Sequence, residues 1–151
     1  MQSDQSARRR ALERLEAFVG EWTEQVDFPD APPGRTVFEW LLGGEYLFQR
    51  SEIPHPDFPD SISIIAVDPN GKAYTQHYFD SRGVVRVYAM ALSDSRWTLV
   101  RDAPDFTPLD FSQRFRGTFA ADGNTIAGTW ESSKDGVHWE HDFDLTYTKI
   151  T

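Results

Sequence analysis

Two periodicities divide the chain. Over residues 3–17, Ala7, Ala11, Leu12 and Leu15 recur near helical spacing, with Phe18 continuing the same face. This predicts one short helix, with Arg8, Arg9 and Arg10 on its exposed side and Gly20 as its stop signal. From Val19 onward apolar and polar residues alternate, the period of strands with one buried face. The predicted strands cover residues 19–28, 35–42, 45–53, 61–67, 72–80, 84–92, 95–102, 109–120, 125–133 and 137–149. Turn chemistry separates them. Gly43-Gly44 suits a tight hairpin, Pro54-His55-Pro56-Asp57-Phe58-Pro59 forbids regular pairing, and Asp68-Pro69-Asn70-Gly71 and Ala121-Asp122-Gly123-Asn124 are turns.

About ten strands with short connections and no crossover helix predict an all-β fold, an antiparallel meander closed into a β-barrel. Closure removes the exposed edges that such a sheet would otherwise present. The helix, residues 1–17, is read as part of the same domain as the barrel, residues 18–151. No repeat, low-complexity tract or linker interrupts the pattern.

Composition narrows the partners. The chain has 151 residues, 14% of them aromatic, enough to bury a sizeable core. Its net charge of -9 repels phosphate backbones and anionic lipid, so neither nucleic acid nor a membrane is an expected partner. There is no cysteine, which excludes thiolate chemistry and disulfides. No apolar stretch follows the arginine cluster, so no signal peptide is expected and the cytoplasm is the default location.

The residues at the helix–strand junction, Phe18-Val19-Gly20-Glu21-Trp22, carry a resemblance. Gly-x-Trp opening the first strand of a ten-strand meander resembles the calycin group, which includes lipocalins, fatty-acid-binding proteins and nitrobindins. In that group the tryptophan packs near a basic residue on the last strand. Gly20 and Trp22 match the motif, and Lys149 is the matching basic candidate. Leu42-Gly43-Gly44-Glu45-Tyr46-Leu47 adds a similarity to a family of uncharacterised bacterial barrels. The resemblance implies a calycin-like barrel that holds a small apolar or amphipathic molecule. Nitrobindin-like barrels also bind haem through a histidine on a late strand. Their longer Gly-x-Trp-x-Gly is not matched here, because Glu24 stands where the second glycine would be.

Alternation nominates the ligand-facing residues. On the last strand Trp139, His141, Phe143, Leu145 and Tyr147 share a face, which puts His141 among interior aromatics. His141 is therefore the axial candidate if haem binds; otherwise no cofactor is expected. Tyr74, Gln76 and Tyr78 share one face of their strand and Thr75, His77 and Phe79 the other, and period two does not decide between them. His77 is kept as a candidate. Arg86 alternates with Tyr88 and Met90, Gln113 with Phe111 and Phe115, and Arg50 with Tyr46 and Phe48. An arginine among apolar side chains needs a carboxylate partner, here Glu39 or Glu52, or an acidic ligand.

The expected ligand contacts are thus Arg50, His77, Arg86, Tyr88, Gln113 and His141. No metal site is expected, because His138 and His141, three apart on a strand, point to opposite faces. Neither a Gly-x-Ser-x-Gly elbow, a Walker loop nor a His-Glu-x-x-His helix is present, so the reading leans away from an enzyme. Two alternatives stay open: a haem protein or enzyme using the barrel pocket, and a barrel filled by its own side chains. A homodimer through a barrel face is also compatible with the sequence.

Overall fold

The computed structural model describes residues 2–150. Helix α1 (Gln2–Arg14) tightens into a 3-10 turn over Leu15–Phe18 before the first strand begins. The strands are β1 (Gly20–Val26), β2 (Gly34–Leu41), β3 (Tyr46–Glu52), β4 (Ser61–Val67), β5 (Tyr74–Asp80), β6 (Val85–Ser93), β7 (Arg96–Arg101), β8 (Ser112–Phe119), β9 (Thr125–Ser133) and β10 (Glu140–Lys149). Each pairs antiparallel with its sequence neighbours, and β1 pairs with β10, which closes the barrel. The all-β fold and the ten-strand meander predicted by alternation are therefore present. Gly43-Gly44 forms the β2–β3 connection as a short 3-10 turn, with both glycines at positive φ. Among the described residues no helix is long and apolar enough to cross a membrane.

The closure register places Trp22 opposite Lys149, with the lysine Nζ 5.3 Å from the ring centroid, a cation–π contact. Gly20, at φ 134, takes the chain from the 3-10 turn into β1 through a conformation that a side chain would oppose. Gly20 and Trp22 thus lie on β1 at the seam, with Lys149 opposite Trp22 on β10.

One barrel end is sealed. Leu12, Leu15 and Phe18 are buried there with Trp22, Phe38 and Trp97. Full burial of each aliphatic or phenyl side chain contributes about 1.5–3 kcal/mol. Polar contacts fix the plug. Trp22 Nε1 donates to the Phe18 carbonyl at 2.8 Å, Tyr74 Oη to the Ala11 carbonyl at 2.8 Å, and Arg8 to Glu45 at 2.7 Å. The opposite end, where β1 ends and β2 starts, carries the longer loops and stays open.

The alternation along β10 breaks at one point. His141 pairs with Glu131 but Phe143 pairs with Trp130, so Asp142 is an extra residue, a β-bulge. Phe143, Leu145 and Tyr147 turn inward below the bulge, and His141 turns outward above it. The expected interior position of His141 is corrected by this single inserted residue: its side chain is 55% exposed and bonds Asp144 at 3.0 Å. Trp139, expected on the same inner face, instead packs against the Arg114 guanidinium, 4.2 Å from its ring centroid.

Candidate functional site

Within the open half of the barrel lies a cavity of about 350 Å³. A barrel filled by its own aromatics would leave no such space. Small-molecule sites commonly measure roughly 300–1,000 Å³, so this one is at the compact end. Its walls are chemically unlike.

The wall built by β1 to β5 is hydroxyl- and amide-rich. Trp22, Glu24 and Val26 follow one another inward along β1, so the interior face that carries the seam tryptophan also carries a carboxylate. Gln49 Nε2 donates to Ser51 Oγ at 3.3 Å, Ser51 Oγ lies 2.9 Å from Thr36 Oγ1, and Thr36 Oγ1 donates to Glu24 Oε1 at 2.7 Å. These contacts link Gln49 through the two hydroxyls to the carboxyl group. Burial pushes the Glu24 carboxyl above the ordinary carboxylate range, against the opposing effect of the Thr36 and Ser51 hydroxyls. Ser63 and Gln76 continue this wall on β4 and β5.

The wall built by β6 to β10 is aromatic. Tyr88, Trp130, Phe115 and Trp97 form a ladder of rings, with successive centroids 5.6, 5.2 and 4.8 Å apart. Gly117 and Gly128 stand opposite each other on β8 and β9 beneath the Phe115 ring. A Cβ on Gly117 would come within 2.8 Å of that ring, and one on Gly128 would also collide with it. The two missing side chains let Phe115 lie flat against the sheet. Tyr88 Oη donates to Gln113 Oε1 at 3.1 Å. Burial raises the Tyr78, Tyr88 and Tyr147 phenols above their ordinary value.

The mouth carries two arginines. Arg82 is paired with Asp80 at 2.7 Å. Burial pushes the Asp80 carboxyl up, but bonds from Arg82, Tyr78 and two backbone N–H groups outweigh it and hold it below the ordinary value. Arg86 has no such partner: among the described residues no carboxylate lies within 4.0 Å of it, and its guanidinium carbon lies 5.7 Å from the Phe111 ring centroid. The expected pairing of Arg50 or Arg86 with Glu39 or Glu52 is not found among the described residues. The loop bearing Phe111 is anchored by the buried Arg101–Asp105 pair at 2.9 Å.

Among the described residues, four buried side-chain polar atoms have no hydrogen-bond partner: Gln49 Oε1, Gln76 Oε1, Arg86 Nε and Trp97 Nε1. All four belong to residues that line this cavity. The contrast with the seam is direct, since the equally buried Trp22 has its N–H bonded.

Of the residues nominated by alternation, Arg86, Tyr88 and Gln113 line the cavity together. Arg50, His77 and His141 do not. Arg50 projects from the outer face over Phe48, and His77 bonds Thr75 on the outside of β5. Outside the barrel His141 also lies with Asp27 and Asp144 in an exposed cluster whose ligand atoms are within 4.8 Å of one another; Asp144 uses its backbone N–H on Asp27 and one carboxylate oxygen on His141. The sequence reading passed over Glu24, Gln49, Ser51, Trp97 and Trp130. Glu24 was visible two residues from Trp22; the others needed the choice of inner face.

A histidine-ligated haem does not fit this cavity. Among the described residues no histidine, cysteine or methionine lines it, and the three lining tyrosines are held in the protonated form, a poor iron ligand.

No family model matches the chain, and no curated protein matches it. Among solved structures, the chain is similar to the crystal structure of Rv2717c from M. tuberculosis, with a TM-score of 0.57 and 13% identity. The match covers 93% of this chain and 98% of that one. At that identity the likeness is one of fold: a ten-strand antiparallel barrel with a bacterial structural neighbour.

Proposed function

We propose that this calycin-like barrel binds a single small amphipathic molecule in the cavity, with an acidic group held by Arg86 and an apolar body against the aromatic wall. The observation that carries this reading is the gathering of four unpartnered buried polar atoms around one cavity. Native proteins satisfy nearly all buried polar groups, and each orphan costs about 1–3 kcal/mol. Four around one space are explained by partners that arrive with a ligand.

The unpaired guanidinium supports the acidic group. Asp57, Asp142 and the Asp80-paired Arg82 also line the cavity, but Arg86 has no carboxylate within 4.0 Å among the described residues, and burial opposes ionisation of Glu24. An unpaired, half-buried guanidinium favours a carboxylate or phosphate. Native mass spectrometry of the protein as purified tests the reading. The expected result is a bound mass released by Arg86→Gln. A bare protein that stays bare after incubation with alkyl and aromatic acids would contradict it.

A further inference from the structure

We infer that the ligand is a flat aromatic acid with a hydroxyl group at the end remote from its carboxylate, in preference to a flexible alkyl acid. This rests on the small-molecule reading above and names the class of molecule that the cavity takes.

The first argument is shape. The rings of Tyr88, Trp130, Phe115 and Trp97 form one continuous surface. Aromatic side chains have few torsions, and Phe115 is seated in the notch left by Gly117 and Gly128, so this surface is rigid, with successive rings inclined by 61°, 48° and 66°. A planar ring matches it by offset stacking or edge-to-face contact. An alkyl chain gains no such contact and must have its rotors ordered on binding. The volume of about 350 Å³ leaves room for a compact ring system rather than a long chain.

The second argument is the placing of the polar groups. Arg86 sits on β6 opposite Tyr78 of β5, at the mouth end of both strands. Gln76 lies one inward-facing position deeper along β5, and Gln49 and Trp97 lie on β3 and β7. Gln49 is 7% exposed and Gln76 5%, and each has an amide oxygen without a donor. Trp97 has an indole N–H without an acceptor. A hydroxyl is both donor and acceptor, so one such group can give its proton to an amide oxygen and take the indole N–H. A carboxylate at Arg86 and a hydroxyl beyond it would thus meet the orphaned groups of all three types. A hydrocarbon terminus would leave the deep ones unmet.

Calorimetric titration with para-hydroxycinnamate, para-methoxycinnamate, para-hydroxycinnamamide and decanoate separates the terms. The expected order has para-hydroxycinnamate tightest. Methylating its hydroxyl should weaken binding roughly tenfold or more, because the amide oxygen that took its proton is left unmet. Gln49→Met and Gln76→Met, which keep side-chain bulk, should shrink that ratio, with unchanged far-ultraviolet circular dichroism showing that the variants fold. Replacing the acid by the amide should weaken binding in wild type and much less in Arg86→Gln. Equal affinity for the hydroxy and methoxy acids, or tighter binding of decanoate, would overturn the inference and leave the small-molecule reading standing. Failure of all four probes to bind would count against both.

Discussion

Strands β1 to β5 turn Glu24, Thr36, Gln49, Ser51, Ser63 and Gln76 toward the barrel axis, whereas β6 to β10 turn Tyr88, Trp97, Phe115, Trp130 and Tyr147 there. Both walls have the same period-two geometry. They differ in what burial does for the fold. Desolvating the rings stabilises the barrel. Desolvating Gln49 and Gln76 without partners for their amide oxygens opposes it. A wall that costs stability is one that the fold does not require, so its chemistry points to a ligand.

Removing the aromatic wall should have the largest effect. Trp97→Ala is expected to lower unfolding free energy by about 3–5 kcal/mol, read from urea unfolding, as for other large buried aromatics. A loss below about 1 kcal/mol would mean that the ring does not support the fold. Gly128→Ala comes next. Its methyl group collides with the Phe115 ring, and overpacking of this kind costs about 1–3 kcal/mol. The displaced ring should also narrow the cavity, so ligand affinity should fall along with stability.

The polar wall should respond through pH. The folded-state value of Glu24 is raised above the ordinary 4.5, so the folded protein holds this proton more tightly than the unfolded chain. Its effect is absent below 4.5 and grows as pH rises from 4.5 through the raised folded value, lowering stability across that window. Glu24→Gln should flatten this part of the profile; a variant with the wild-type slope would show that Glu24 does not titrate in the window. The smallest stability change is expected at Gln76→Met. Replacing an unpartnered amide by an apolar side chain of similar volume should leave stability within about 1 kcal/mol of wild type, or raise it, while weakening ligand binding. A large destabilisation would make Gln76 part of the scaffold.

The same contrast explains what could be read from sequence. On the aromatic side the rule of apolar side chains facing inward holds, and Arg86, Tyr88 and Gln113 were found by it. On β3 it inverts. Tyr46, Phe48 and Arg50 look like the inner set, yet Gln49 and Ser51 face inward because the interior there is polar. Arg50 was misplaced for that reason. His77 was left undecided because both faces of β5 mix aromatic and polar residues. His141 was lost to a bulge, whose one extra residue has no sequence signal in a run as regular as Trp139 to Tyr147. The strands, the turns and the Trp22–Lys149 seam were legible because they rest on local chemistry: period two, Gly, Pro and Asn at turns, and one short motif. Residues 61–67 and 125–133 were bounded as β4 and β9 are. The cavity was not legible, because it depends on which polar atoms end without partners after the barrel closes.

The five tryptophans provide the most direct test. Trp97 and Trp130 line the cavity; Trp22 is bonded to the Phe18 carbonyl, Trp40 to Glu16, and Trp139 packs under Arg114. Their indole N–H signals should be followed in proton–nitrogen correlation spectra while para-hydroxycinnamate is added. A ligand between the two walls should shift Trp97 most, because its N–H gains a first acceptor, and Trp130 next, with Trp40 and Trp139 unmoved. Saturating shifts at Trp40 or Trp139 with Trp97 unchanged would place binding outside the barrel and contradict the account.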